Sequence, residues 1–364
     1  MLFFLLMALS IILIYLIGIR QKSAIVYISV FLMIYIFILS VMCVNFYLLK
    51  FTDTNQLVFP DENLYVYDYS STLLFSYYVQ FIERNFGLDV VRAINVMVFS
   101  ISLSILSSEI IVKVNGFHRQ LVLFFAFLGS LVGGYWAFFI LKEAFSVAAL
   151  SMLVIAQVNK SKSYLFAAVL LLLFARIDLL ALYIGVNFLF TLKRRAKPIY
   201  YLSFVISALI FVIYMNSEAS YSLKLFTLSR RFGEEDFKFD DIAVNMSHLQ
   251  LIPFILSEPF RQAVITNINS SLNPLMDFNP FVFLQRIYNL FAFIVFIACT
   301  KKFLLKDKLF TFTFIVILGV LSTHSVYRYL NTILIPLTLY FILMLSINKT
   351  KVQIEKNHNN NTSL

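Results

Sequence analysis

The chain has 364 residues, of which 61% are hydrophobic and only 13% charged, and its formal net charge is +10. A soluble domain is nearer half apolar and a quarter charged, so this composition excludes an ordinary water-soluble fold. Two cysteines, Cys43 and Cys299, each within an apolar run, and four histidines scattered along the chain give no disulfide framework and no metal cluster, and no cofactor motif is present.

Apolar runs recur at lengths of about 17–25 residues, which is what a helix needs to cross a bilayer. They do not alternate in character as barrel strands do. The expected fold is an all-α polytopic membrane protein. The first span is 2–18; nothing basic precedes it, so it reads as a retained span and not as a secretory signal. The second, 24–49, leads into an outer loop over 50–90 containing Phe59-Pro60-Asp61-Glu62-Asn63-Leu64-Tyr65-Val66-Tyr67-Asp68-Tyr69. Three carboxylates among aromatics suit sugar binding and general-base chemistry, and they also suit an ordinary solvated loop. Within 71–86 apolar residues recur at helical spacing over a length too short to span, which predicts a helix lying in the interface.

Spans at 90–112 and 120–140 follow, the latter holding Trp136 at interfacial depth. Lys142-Glu143 then opens a span over 143–157. Residues 164–192 form one apolar run broken by Ala175-Arg176-Ile177-Asp178. One tilted helix or two half-spans would accommodate it. Its flanks are both basic (Lys160 and Lys162 before it; Lys193, Arg194, Arg195 and Lys197 after it), which favours a pair that dips into the membrane and returns. A span at 198–215 precedes the longest polar stretch, 216–280. Spans at 281–299, 309–323 and 329–347 close the bundle around His324-Ser325-Val326-Tyr327-Arg328. Residues 1–348 thus form one transmembrane domain of about eleven membrane helices. The Asn-rich segment 349–364 is expected to be a disordered cytoplasmic tail.

Charge orients this arrangement. One side collects Arg20, Lys22, Lys113, Arg119, Lys160, Lys162, Lys193, Arg194, Arg195, Lys197, Lys301, Lys302, Lys306, Lys308, Lys349, Lys351 and Lys356, against the acids Glu109, Asp307 and Glu355. The basic bias makes that side cytoplasmic, with the N-terminus outside and the C-terminus inside. The positive net charge is therefore a topology signal, and nucleic-acid binding is not inferred from it.

The same topology carries the conspicuous ionisable clusters to the outer face: Asp61-Glu62, Lys142-Glu143, Arg176 with Asp178, Arg230-Arg231, and His324 with Arg328. Each alone reads as a snorkelling or helix-end charge. Five on one face point to a site, because charges in or beside spans cost a few kcal/mol unless paired or wet. Arginines and a lysine there suit a diphosphate, and a carboxylate can take the proton from an attacking sugar hydroxyl. Asp61 and Glu62 are adjacent, so they cannot flank a bond from opposite sides as a glycosidase pair does. His324 fits a second base, or equally a helix cap or a packing residue.

The layout resembles the bacterial oligosaccharide-repeat-unit polymerases of the Wzy and EpsG kind, and more broadly the GT-C glycosyltransferases. The resemblance rests on the acidic outer loop (Asp61-Glu62), the interfacial helix after it, Lys142-Glu143 opening a later span, Arg176-Ile177-Asp178 in a dipping pair, and Arg328-Tyr329 before a span with Pro336. It covers most of the chain in layout, through motifs of two or three residues. One span precedes the acidic loop's own span, a departure that sets the start of the shared module at residue 24. The resemblance implies an inverting, metal-independent and cofactor-free transfer at the bacterial inner membrane, between polyprenyl-diphosphate-linked oligosaccharides. Asp61 or Glu62 would be the base. Lys142, Arg176 and Arg328 would hold diphosphate, and the loop with Arg230 and Arg231 would cover the glycan. Flippase and chain-length-regulator proteins are the partners it implies. A lipid-linked-glycan flippase and a single-sugar transferase are the alternatives.

Overall fold

The computed structural model describes residues 2–48, 57, 60–67, 73–195, 198–199, 201–202, 280–323 and 327–361. Every element among them is an α-helix: α1 (Leu2–Arg20), α2 (Ala24–Leu48), α3 (Pro60–Tyr67), α4 (Leu73–Phe86), α5 (Leu88–Lys113), α6 (Phe117–Ala137), α7 (Glu143–Asn159), α8 (Lys162–Ala175), α9 (Ile177–Arg195), α10 (Pro280–Phe303), α11 (Lys308–Thr323) and α12 (Tyr327–Asn361). Five segments are long and apolar enough to cross a membrane: Ala24–Val44, Leu88–Lys113, Phe117–Ala137, Phe283–Phe303 and Tyr329–Ile347. Shorter apolar helices are Met7–Arg20, Glu143–Asn159, Lys162–Ala175 and Lys308–Ile317. The protein is a helical, multi-pass membrane protein.

The chain divides into two compact units. The first comprises Met1–Ile177, Asn279–Lys301 and Asn331–Leu364; the second comprises Asp178–Phe278 and Lys302–Leu330.

In the first unit α5 is the central post, packed by α1, α2, α4, α6 and α7. It is buried along most of its length. Its run of serines suits that place, since small side chains let neighbouring helices approach. Ser100 Oγ donates to the Val96 carbonyl at 2.7 Å and Ser102 Oγ to that of Phe99 at 3.0 Å, so these hydroxyls are satisfied within their own helix. On α6, Gly129 and Gly133 stand one turn apart and receive α12 and α5. A Cβ at Gly133 would lie 2.3 Å from Phe99 Cζ and 2.9 Å from Ile335 Cδ1. At Gly129 it would lie 3.3 Å from Ile335 Cγ2. α10 closes on the same helices: Tyr288 meets the Phe125 ring, and Cys299 Sγ points to the Phe341 carbonyl.

In the second unit, α9 meets α11 through Tyr183 and Phe312, whose ring centroids are 5.7 Å apart. Lys193 Nζ donates to the Leu305 carbonyl at 2.7 Å. Asp307 Oδ1 accepts the Phe310 amide proton at 2.7 Å and caps the start of α11.

Three expectations change. Asp61 and Glu62 do not sit in an irregular loop. They lie in the first turn of α3, where Pro60 supplies a preset φ and acids suit the positive helix end. The expected disordered tail does not begin at 349: α12 runs on to Asn361, because extending a formed helix adds one hydrogen bond per residue fixed. The span expected over 120–140 stops at Ala137, and 138–142 is irregular. The span at 198–215 and the stretch 216–280 lie outside the described residues, apart from the helical residues 198–199 and 201–202. The helix expected within 71–86 and the break in 164–192 both appear, as α4 and as the α8–α9 boundary.

Candidate functional site

The site is built around a short strap, Phe138-Phe139-Ile140-Leu141-Lys142, between α6 and α7. Phe138 to Leu141 are almost entirely buried. Irregular backbone is tolerated within a membrane protein only where its polar groups are satisfied. Two side chains supply that. Glu62 Oε1 accepts the Ile140 amide proton at 2.9 Å. Asn95 Nδ2 donates to the carbonyl oxygens of Phe139 at 2.9 Å and Leu141 at 3.4 Å.

Glu62 is in turn paired with Arg92, whose Nη2 lies 3.4 Å from Oε1; the two side chains are 0% and 2% exposed. The guanidinium also sits 5.1 Å from the centroid of the Phe138 ring. A buried carboxylate without a cation would be expensive, and one without hydrogen bonds more so; here it has both. Arg92 and Asn95 are three residues apart on α5 and so share a face. α5 therefore presents a cation and a carboxamide to the strap, with Glu62 of α3 between them.

An aromatic hub fixes the surrounding elements. The Phe75 ring on α4 lies 5.0 Å from Tyr65 of α3, 5.9 Å from Phe145 of α7 and 5.8 Å from Phe174 of α8. Phe145 and Phe174 are themselves 5.0 Å apart. These contacts hold the first turn of α7 beside the last turn of α8. Tyr78 joins the same cluster, and burial pushes its phenol well above the usual value, so it stays protonated.

The hub gathers several of the sequence-derived residues at one end of the first unit. Lys142 caps α7 and is half-buried; its carbonyl accepts the Ser146 amide proton at 3.0 Å. Glu143 follows in the first turn, buried, where the helix dipole favours a carboxylate. Arg176 terminates α8 in a non-helical conformation (φ −148°, ψ 73°) and is half-buried. Beside Glu143 is a small cavity lined also by Trp136, Asn331 and Thr332, with a solvent volume of about 10 Å³, room for one water. The buried Asn331 carboxamide has no hydrogen-bond partner among the described residues.

Other candidates fall elsewhere. Asp178 is exposed in the first turn of α9 and belongs to the second unit. Arg328 stands in the first turn of α12, three residues before Asn331, and also belongs to the second unit. Asp61 is placed by its backbone in α3. Arg230, Arg231 and His324 lie outside the described residues. Arg92, Asn95, Asn331 and Thr332 were not singled out by the sequence. Arg92 carried a usable signal, since an arginine near the start of an apolar span must find a partner. Among the described residues no three His, Cys, Asp or Glu come together to hold a metal.

In comparisons with protein-family models, curated proteins and solved structures, nothing matches this chain.

Proposed function

We propose that the protein is a membrane glycosyltransferase that polymerises polyprenyl-diphosphate-linked oligosaccharide repeat units at the outer face of a bacterial inner membrane. The observation that carries this reading is the gathering of Lys142, Glu143 and Arg176 at one end of the first unit, beside a strap fixed by Glu62 and Asn95. In this reading the whole chain forms a GT-C-like bundle of about eleven membrane helices.

Arg176 and Lys142 hold the diphosphate of the lipid-linked donor. Arginine grips phosphate oxygens as a fork and lysine as a point charge. A carboxylate takes the proton of the acceptor sugar hydroxyl, and that oxygen attacks the anomeric carbon. The bond to the diphosphate breaks, and the cations stabilise the departing negative charge. Glu62 is committed to Arg92 and to the Ile140 amide, so the base in this reading is Asp61, one residue earlier on α3. Glu143, in the first turn of α7, completes the polar end of the site. Flippase and chain-length-regulator proteins act beside the enzyme.

A lipid-linked-glycan flippase is the second reading. The helix break at Arg176 favours it, because interrupted helices also mark substrate sites in transporters. Deleting the protein and displaying surface glycan on a gel separates the two. A polymerase leaves single repeats on the outer surface and no ladder. A flippase leaves the lipid-linked repeats trapped inside. Normal ladders would refute both.

A further inference from the structure

A second cluster of charges stands at the opposite end of the first unit. Three turns meet there: α1–α2, α5–α6 and α7–α8. Lys113 Nζ on α5 donates to Asn159 Oδ1 at the end of α7. Glu109 of α5 lies 3.7 Å from Lys113, one turn away on the same helix. Tyr164 of α8 is within electrostatic range of both Glu109 and Arg20.

Charge on this end is one-sided. Arg20, Lys22, Lys113, Arg119, Lys160 and Lys162 are all exposed. Glu109 is the acid among them; it is 3% exposed and already engaged by Lys113. Lys22 (φ 55°) and Lys160 (φ 53°) both take the left-handed conformation at the ends of α1 and α7, where glycine is the usual residue. Two of the three turns therefore place a lysine where backbone geometry favours a residue without a side chain. Beside these cations stand large exposed apolar side chains: Ile19 and Ile25 at the first turn, Phe117 at the second, Phe166 at the third. Cations with apolar neighbours form the complement of an acidic phospholipid, whose phosphate meets the cations while its chains cover the apolar side chains. In a bilayer those side chains are covered by the acyl chains of lipids whose phosphates stand at the level of the cations.

We propose that these three turns form a binding site for the headgroup of an acidic phospholipid, with Lys22, Lys160 and Lys162 as its principal cations. It is independent of the strap site and of the activity proposed for it.

The test uses the purified full-length protein in nanodiscs of phosphatidylcholine, with or without a minority of phosphatidylglycerol. Native mass spectrometry reads retained lipid and a thermal melt reads stability. The wild type should retain phosphatidylglycerol over phosphatidylcholine and melt higher in its presence. Each of Lys22→Gln, Lys160→Gln and Lys162→Gln should lower that preference about fivefold, and the triple variant on the order of a hundredfold. The matching lysine-to-arginine variants should keep it. Three results would overturn the proposal: no phosphatidylglycerol preference in the wild type, an undiminished preference in the triple glutamine variant, or an equal rise in melting temperature from inorganic phosphate alone. The wild-type arms decide the matter even where the triple variant fails to fold.

Discussion

The Glu62 carboxylate lies 3.4 Å from the Arg92 guanidinium, with both side chains almost wholly withdrawn from solvent. The pair bridges a short helix and a membrane-spanning one, and it also anchors the strap through Ile140. Removing one partner strands the other. Arg92→Met should therefore cost on the order of 3 kcal/mol, and Glu62→Gln combined with Arg92→Met less than the sum of the single changes. The check is a double-mutant cycle on detergent-solubilised protein, read by thermal unfolding. Strict additivity would mean that the pair carries no coupling.

The diphosphate clamp makes a graded prediction. Arg176→Ala and Lys142→Ala should each lower polymerisation about 30- to 1000-fold, corresponding to a loss of roughly 2–4 kcal/mol of transition-state binding. Arg176→Lys should rescue only in part, because a point charge replaces a fork. Glycan ladders in a deletion strain, normalised to protein in the membrane, give the readout. Near-normal ladders from Arg176→Ala and Lys142→Ala would remove both from the clamp.

The close approach at Gly133 gives a packing prediction. Gly133→Ala puts a methyl group into the Phe99 ring and should destabilise by about 1–3 kcal/mol. Phe99→Leu on that background should recover part of the loss by vacating the contact. Melting temperatures of the two single variants and the double variant decide it, and a Gly133→Ala protein as stable as wild type would show that α5 and α6 can separate without penalty.

Orientation is testable by labelling. With the N-terminus outside, Thr54→Cys should react with an impermeant thiol reagent added to intact cells. Ser161→Cys, in the basic turn between α7 and α8, should react only after lysis. The opposite pattern would invert the topology and move the proposed chemistry to the cytoplasmic face.

Much of the helical layout was legible because a membrane span needs little but length and apolarity. α2, α5, α7 and α10 begin and end within a few residues of the runs that announced them. The break at Arg176 was legible because Arg-x-Asp interrupts an otherwise apolar run. α3 was legible only in part: Pro60 is a helix-start signal, but an eight-residue helix is too short to show an apolar period. The brace was illegible for a different reason. Glu62 meets Arg92 across 30 positions and Ile140 across 78, and no local pattern encodes such pairings. The same holds for Asn331, whose carboxamide meets the Glu143 cavity only through the packing of α12.

The brace also has a kinetic consequence. A segment without helical hydrogen bonds ordinarily surrenders its amide protons to solvent quickly. The Ile140 amide has its acceptor supplied by a carboxylate that the bulk cannot reach. Its exchange with deuterated solvent then requires α3 to part from α5, an opening closer to subglobal unfolding than to loop motion. The strap should thus exchange on the timescale of the helices flanking it, and Arg92→Met should bring its deuterium uptake forward before theirs.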